Sequence, residues 1–289
     1  MPLHCCLLAM LRRSDGSYDE VKDFKPPFSS APVIDHQGKP AYRVIVNGQE
    51  TVLTVHEVTV KFLRTLFNSA KDFLGRKIES CVFAVPADFT PAQSEALQKA
   101  SAEAGIQKAS LIPDVAAAAL AYGWTAAPSA KFHGIDRNLL FLDVGASSTI
   151  ATVVAARQGL LVPLSSVRDS SLGGEAFDDR LVEFFSKEFT KKTKVPLEKS
   201  NHRAVMKLLL EVEASKRTLS VSTSANCAVE SLAEGMDYSG VVNRTRFDLI
   251  SSKVYQSITD KALEAVKKAG LDPVEIHELG PSLVGHGSY

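Results

Sequence analysis

A strand-like run ends in Asp143 and turns through Val144-Gly145-Ala146-Ser147-Ser148 before apolar residues resume. An acidic residue at a strand end can hold a magnesium ion through its water shell, because magnesium prefers oxygen ligands and keeps several waters. A turn of Gly and Ser lets backbone N–H groups approach phosphate oxygens. Taken alone, the same residues also describe a β-hairpin with a polar turn. Further along, Gly173-Gly174 precedes Glu175-Ala176-Phe177-Asp178; this is flexible backbone that also suits the start of a helix. Glu213, Lys216 and Arg217 stand at i, i+3 and i+4, so they share one helix face. Such a face is ordinarily a solvated ion-paired surface.

These residues need elements to hold them. Val33 to Val46 reads as a hairpin about Gln37-Gly38-Lys39, and Asn47-Gly48 supplies a second turn. Thr54 and Glu57 have capping-box spacing ahead of an apolar series at helical period, and Gly75 is placed to end that helix. Cys81 to Val85 reads as a strand. Thr90-Pro91 opens a helix that Gly105 closes, with Pro where its missing N–H costs nothing. A strand over Ala109 to Ile112 leads into an alanine-rich helix ending at Gly123. Strands over Asn138 to Asp143, Thr149 to Ala155 and Leu160 to Leu164 precede helices over about 175–191 and 202–219. A β segment over Ala225 to Ser231 and a helix over about 246–269 complete the reading. Strands alternating with helices across short connections indicate an α/β fold. Residues 1–30, with Pro26-Pro27 and Ser29-Ser30, read as irregular.

Bulk properties narrow the classes. The chain has 289 residues, 45% hydrophobic and 23% charged, with formal net charge +0. That balance does not suggest a nucleic-acid partner. No apolar run approaches the roughly 20 residues of a membrane span. Cys5, Cys6, Cys81 and Cys227 lack C-x-x-C spacing, so reduced thiols in a cytoplasmic protein are expected rather than a zinc site or a disulfide framework. The seven histidines show no metal-ligand spacing, and no G-x-S-x-G or paired-carboxylate pattern argues for another hydrolase.

In their order and spacing, the three segments resemble the nucleotide-binding domain of the heat-shock-70 chaperones. Asp143–Ser148 resembles that family's second phosphate loop, Gly173–Asp178 its G-G-E-D-F-D turn, and Glu213–Ser220 its E-R-A-K-R-T-L-S helix. Val85-Pro86-Ala87-Asp88-Phe89-Thr90 and Ala117–Gly123 agree with it. The resemblance implies an actin-like (ribonuclease H-like) ATPase fold of two lobes. Residues 31–138 would be the remainder of the first lobe, after the irregular 1–30, and 139–289 the second.

It further implies ATP or ADP with Mg2+ as cofactors. The nucleotide-binding residues it points to are Asp143, Gly145, Ala146, Ser147, Ser148, Gly173, Gly174, Glu213, Lys216, Arg217 and Gly285. Asp143 and Asp114 would face the metal through water.

Departures from the family pattern matter. Ala146 and Ser147 stand where the family has glycine, so each brings a Cβ toward the phosphate position. No D-x-G-T-[ST] loop occurs in the first fifty residues, and the resemblance covers about residues 40–285. The first lobe is therefore expected to be incomplete, the second to stop short, and hydrolysis to be slight or absent. Pro113 is displaced from the family's N-E-P-T position, which removes support for signalling between domains by that route.

Leu232–Tyr238 and Asn243–Phe247, with the altered loop, are similar to the atypical members that serve the fungal ribosome-associated complex. That similarity implies a zuotin-like J-domain co-chaperone, the ribosome and nascent chains as partners. Two other readings stay open: an active ATPase or sugar kinase on the same fold, and an interaction scaffold that binds no nucleotide.

Overall fold

The computed structural model describes residues 32–86, 89–121, 136–157, 160–198 and 201–280. The chain divides into two compact units at Ala117/Ala118. The division falls within a helix, ahead of the lobe boundary expected at 138/139.

In the first unit, β1 (Val33–His36), β2 (Lys39–Val46) and β3 (Gln49–Thr54) form an antiparallel meander. Its turns carry positive φ at Gln37-Gly38 and Asn47-Gly48, the backbone that two-residue hairpins require. α1 (Val55–Leu74) starts on the expected capping box. Thr54 accepts from the Glu57 N–H, and the Glu57 carboxylate accepts from the Thr54 N–H. It stops at Gly75, which is left-handed. β4 (Ser80–Val85), α2 (Pro91–Glu103) and β5 (Lys108–Pro113) follow, with β4 and β5 paired in parallel. Val60 and Leu63 of α1 pack on Leu97 and Ala100 of α2 and on Val85. α3 (Asp114–Ala121) begins here; the expected end at Gly123 lies outside the described residues.

The second unit is built on a four-stranded sheet in the order β11-β6-β7-β8. β6 (Arg137–Val144), β7 (Thr149–Arg157) and β8 (Leu160–Asp169) are antiparallel neighbours, and β11 (Glu278–Gly280) lies parallel to β6. The β7 burial pattern is nearly continuous, as expected of a central strand covered on both faces. α6 (Arg244–Lys268) covers one face, where Ala265 and Val266 meet Leu140, Ala151, Val153 and Val167.

A second core joins α4 (Gly174–Thr193), α5 (His202–Val221) and the hairpin of β9 (Ser224–Ala233) and β10 (Met236–Asn243). Leu181, Phe185 and Phe189 of α4 and Leu208 and Val212 of α5 are fully buried there. Tyr238 of β10 packs edge-on against both phenylalanines and donates its hydroxyl to Glu188.

Three elements differ from the sequence expectation. β8 runs five residues past Leu164 to Asp169, through an irregularity opposite Val153/Val154. β10 returns along β9 across Glu234-Gly235, both at positive φ. β11 is short and pairs only with a strand far away in sequence. The irregular segment expected over 1–30 lies outside the described residues.

Candidate nucleotide site

The turn at residues 145–148 joins β6 to β7 as a hairpin. Val144 pairs with Thr149, and the Gly145 N–H donates to the Ser148 carbonyl at 2.8 Å. The hairpin reading of these residues is therefore right about the backbone, and it is compatible with a phosphate loop. Asp143 and Ser148 are half-buried and Ala146 is exposed.

The start of α4 is fastened to this turn. The Gly174 N–H donates to the Gly145 carbonyl at 2.9 Å, and the Glu175 N–H donates to the Ala146 carbonyl at 2.8 Å. The first N–H groups of a helix lack partners within it; here two of them hold the turn. The positive end of the α4 dipole is thus directed at loop carbonyls. Thr149, fully buried, adds a third tie by donating its hydroxyl to the Leu172 carbonyl.

Glycine is needed at 173 for space. Its backbone is extended (φ −172°), which any residue adopts. A Cβ there would stand 2.6 Å from the Ala146 oxygen and 2.8 Å from the Gly145 oxygen, both backbone atoms. At Gly174 the nearest atom to such a Cβ is the Lys216 ammonium at 3.4 Å, the end of a flexible side chain.

α5 is tied to the same place. Lys216 donates to Asp178 Oδ2 at 2.7 Å and to the Gly174 carbonyl at 3.1 Å. The Asp178 side chain is buried, at 5% exposure, and that of Lys216 is half-buried, at 16%. Burial pushes the Asp178 carboxyl above its ordinary range and outweighs the pull of the Lys216 ammonium. Glu175 is pushed up to about 7 by burial, then by repulsion from Asp178 and Asp179, against the attraction of Lys216. Glu213 and Arg217 form an i,i+4 ion pair on the more exposed side of α5. The shared face expected of Glu213, Lys216 and Arg217 is thus divided: Lys216 crosses to α4, while the other two pair with each other. In this state Lys216 serves as a tether between helices.

The structure therefore gathers residues 145–148, Gly173, Gly174 and Lys216 into one cluster beside Glu213 and Arg217. Asp114 belongs to the first unit, where its carboxylate accepts from the Val115 N–H, while Asp143 belongs to the second. Gly285 lies outside the described residues. Asp178 and Glu175 join this cluster although no motif in the sequence marks them as site residues. The available signal was the position of Asp178 four residues after Gly174, on the same face of α4, with Glu175 three residues before Asp178. Among the described residues, no group of three or more His, Cys, Asp or Glu side chains could hold a metal, and no helix is long and apolar enough to cross a membrane.

This linked turn, helix start and tethering lysine can be set beside known proteins. The sequence profile described as Hsp70 protein matches residues 8–288. The chain belongs to the Hsp70 family. Its two units are a partial form of the actin-like α/β architecture of that family's ATPase domain.

Among curated relatives, a heat shock protein 70 homolog of Schizosaccharomyces pombe is 39% identical over 269 residues, which are 91% of this chain and 46% of that protein. The ribosome-associated complex subunit SSZ1 of Saccharomyces cerevisiae is 35% identical over 249 residues, 86% of this chain and 45% of that protein. A putative heat shock 70 kDa protein 7 of Homo sapiens is 33% identical over 256 residues, covering 88% and 68%. The Hsp70 chain thus spans less than half the length of the first two relatives.

Proposed function

We propose that this Hsp70-family chain is an ATP-binding chaperone subunit that assists folding of nascent chains at the cytosolic ribosome, with little or no ATP hydrolysis. The observation that carries the nucleotide part is the fastening of the 145–148 turn to the start of α4, with Gly173 kept free of a side chain where the two backbones meet. The turn would take the phosphates. Asp143 would hold magnesium through waters. Glu213, Lys216 and Arg217 would take the adenosine, the Arg217 guanidinium by stacking on the base. For Lys216 to reach a ribose it must leave Asp178 or bridge to it. Magnesium, when bound with ATP, would supply charge neutralisation of the phosphates.

The ribosomal part is supported by the similarity to SSZ1, whose name places that protein in the ribosome-associated complex. A zuotin-like J-domain protein, the ribosome and nascent chains are the corresponding partners proposed here. Ala146 and Ser147 in the turn support slow turnover, because phosphoryl transfer depends on clamped phosphates and a placed water. Two measurements test the proposal. Phosphate release under single-turnover conditions should stay at the buffer background. Sedimentation through a sucrose cushion should carry the chain down with ribosomes when a J-domain partner is present. Rapid phosphate release, or a chain left in the supernatant, would refute the corresponding half.

A further inference from the structure

Two carboxylates at the start of α4 each leave one oxygen buried without a hydrogen-bond partner: Oε1 of Glu175 and Oδ1 of Asp178. They stand at i and i+3, so they lie on one helix face. Asp178 is 5% exposed, and its other oxygen is taken by Lys216. The charges around them are unequal. Asp178 and Asp179 on α4 and Lys216 on α5 face Glu175, and Glu213 of α5 faces Asp178. From α6 the ring of Tyr255 packs on Phe177, which lies between the two carboxyl residues in sequence. One ammonium thus serves several carboxylates in a partly dehydrated place. Burying an unpaired charge is costly, and retaining a proton is the cheaper solution.

We infer that Glu175 and Asp178 hold one exchangeable proton between them, and that this proton links nucleotide binding at the 145–148 turn to pH. The inference rests on the nucleotide reading above. Its geometric basis is the backbone N–H of Glu175, which bonds the Ala146 carbonyl of the turn, so the residue that carries the carboxyl is itself fastened to the loop. A polyphosphate placed there adds negative charge and favours the neutral carboxyl. Binding therefore takes up a proton. Because burial and carboxylate repulsion already lift Glu175 to about 7, the uptake falls in the neutral range. Affinity declines as pH rises through that value, and a fully ionised pair opposes the phosphates. The two carboxyls titrate as a coupled pair rather than as separate sites.

Calorimetric titration of the full chain with Mg-ATP at pH 7, in buffers of contrasting ionisation enthalpy, tests this. The expected result is uptake of up to about half a proton per nucleotide, since a group near its midpoint is about half loaded. Glu175→Gln keeps the shape and removes the titration, so its uptake should fall to the background of Mg-ATP itself. Binding with no proton exchange by the unmodified chain would overturn the inference and leave the nucleotide reading standing, as would equal uptake by the variant. A folded chain that gives no binding heat at pH 6 or pH 8 would overturn both.

Discussion

Replacing Gly173 with alanine puts the proposed loop–helix junction under the sharpest test. The new Cβ would fall 2.6 Å from the Ala146 oxygen and 2.8 Å from both the Ala146 carbon and the Gly145 oxygen. All three are backbone atoms that cannot rotate away. Real Cβ contacts stay beyond about 3.0 Å, so the turn and the start of α4 must separate by about 0.4 Å or more. Overpacking of this kind costs about 1–3 kcal/mol.

The displacement also stretches the Gly174–Gly145 and Glu175–Ala146 hydrogen bonds, now 2.9 and 2.8 Å, each worth about 1 kcal/mol. A loss of about 3 kcal/mol is expected, which moves the urea midpoint down by about 1 M or more for ordinary slopes. Gly174→Ala is the internal control. Its Cβ meets the movable end of Lys216 at 3.4 Å, so the cost should stay below about 1 kcal/mol. Denaturant titration of both variants, followed by Mg-ATP titration of the folded samples, reads the result. Equal midpoints for the two variants would refute the claim that close backbone approach fixes this junction.

Other outcomes follow from the same contacts. Lys216→Ala strands the buried Asp178 carboxylate and should cost about 3–5 kcal/mol, while the paired change Lys216→Met with Asp178→Leu should cost much less; denaturation of both reads the difference. Glu175 binds its proton more tightly folded than unfolded, so its contribution to stability is full below about 4.5 and is lost as pH rises toward about 7. Glu175→Gln should accordingly flatten the melting temperature against pH across that window, and an unchanged profile would refute the assignment. Cys227 is fully buried, and burial followed by the nearby Glu211 pushes its thiol up to about 12. At pH 8 it should resist alkylation in the folded chain and react only on unfolding, as peptide mass mapping would show.

What the sequence revealed was local. The Thr54/Glu57 box, the left-handed Gly75 and the Thr90-Pro91 helix start could each be read within a few residues, and each stands as expected. The β9–β10 hairpin also has a local signal, Glu234-Gly235 between alternating residues, which suits a two-residue turn at positive φ. β11 had little local signal: three residues become a strand only because β6 offers them an edge. At the candidate site, segment order and spacing single out Asp143–Ser148, Gly173-Gly174 and Lys216. They did not disclose that α4 spends its first N–H groups on the turn, nor that Lys216 leaves its own helix face for Asp178. Helical period places side chains on a face, but the register between two helices is set by the Phe185, Phe189, Leu208 and Val212 core, which is long-range.

Turn, helix start and α5 together are proposed to bind nucleotide still. Isothermal titration of the folded chain with Mg-ATP, its fold checked by circular dichroism, tests this most directly. Saturable binding at one site is expected, weakened by Gly173→Ala far more than by Gly174→Ala. A folded chain that gives no binding heat would contradict it and leave the interaction scaffold as the better reading.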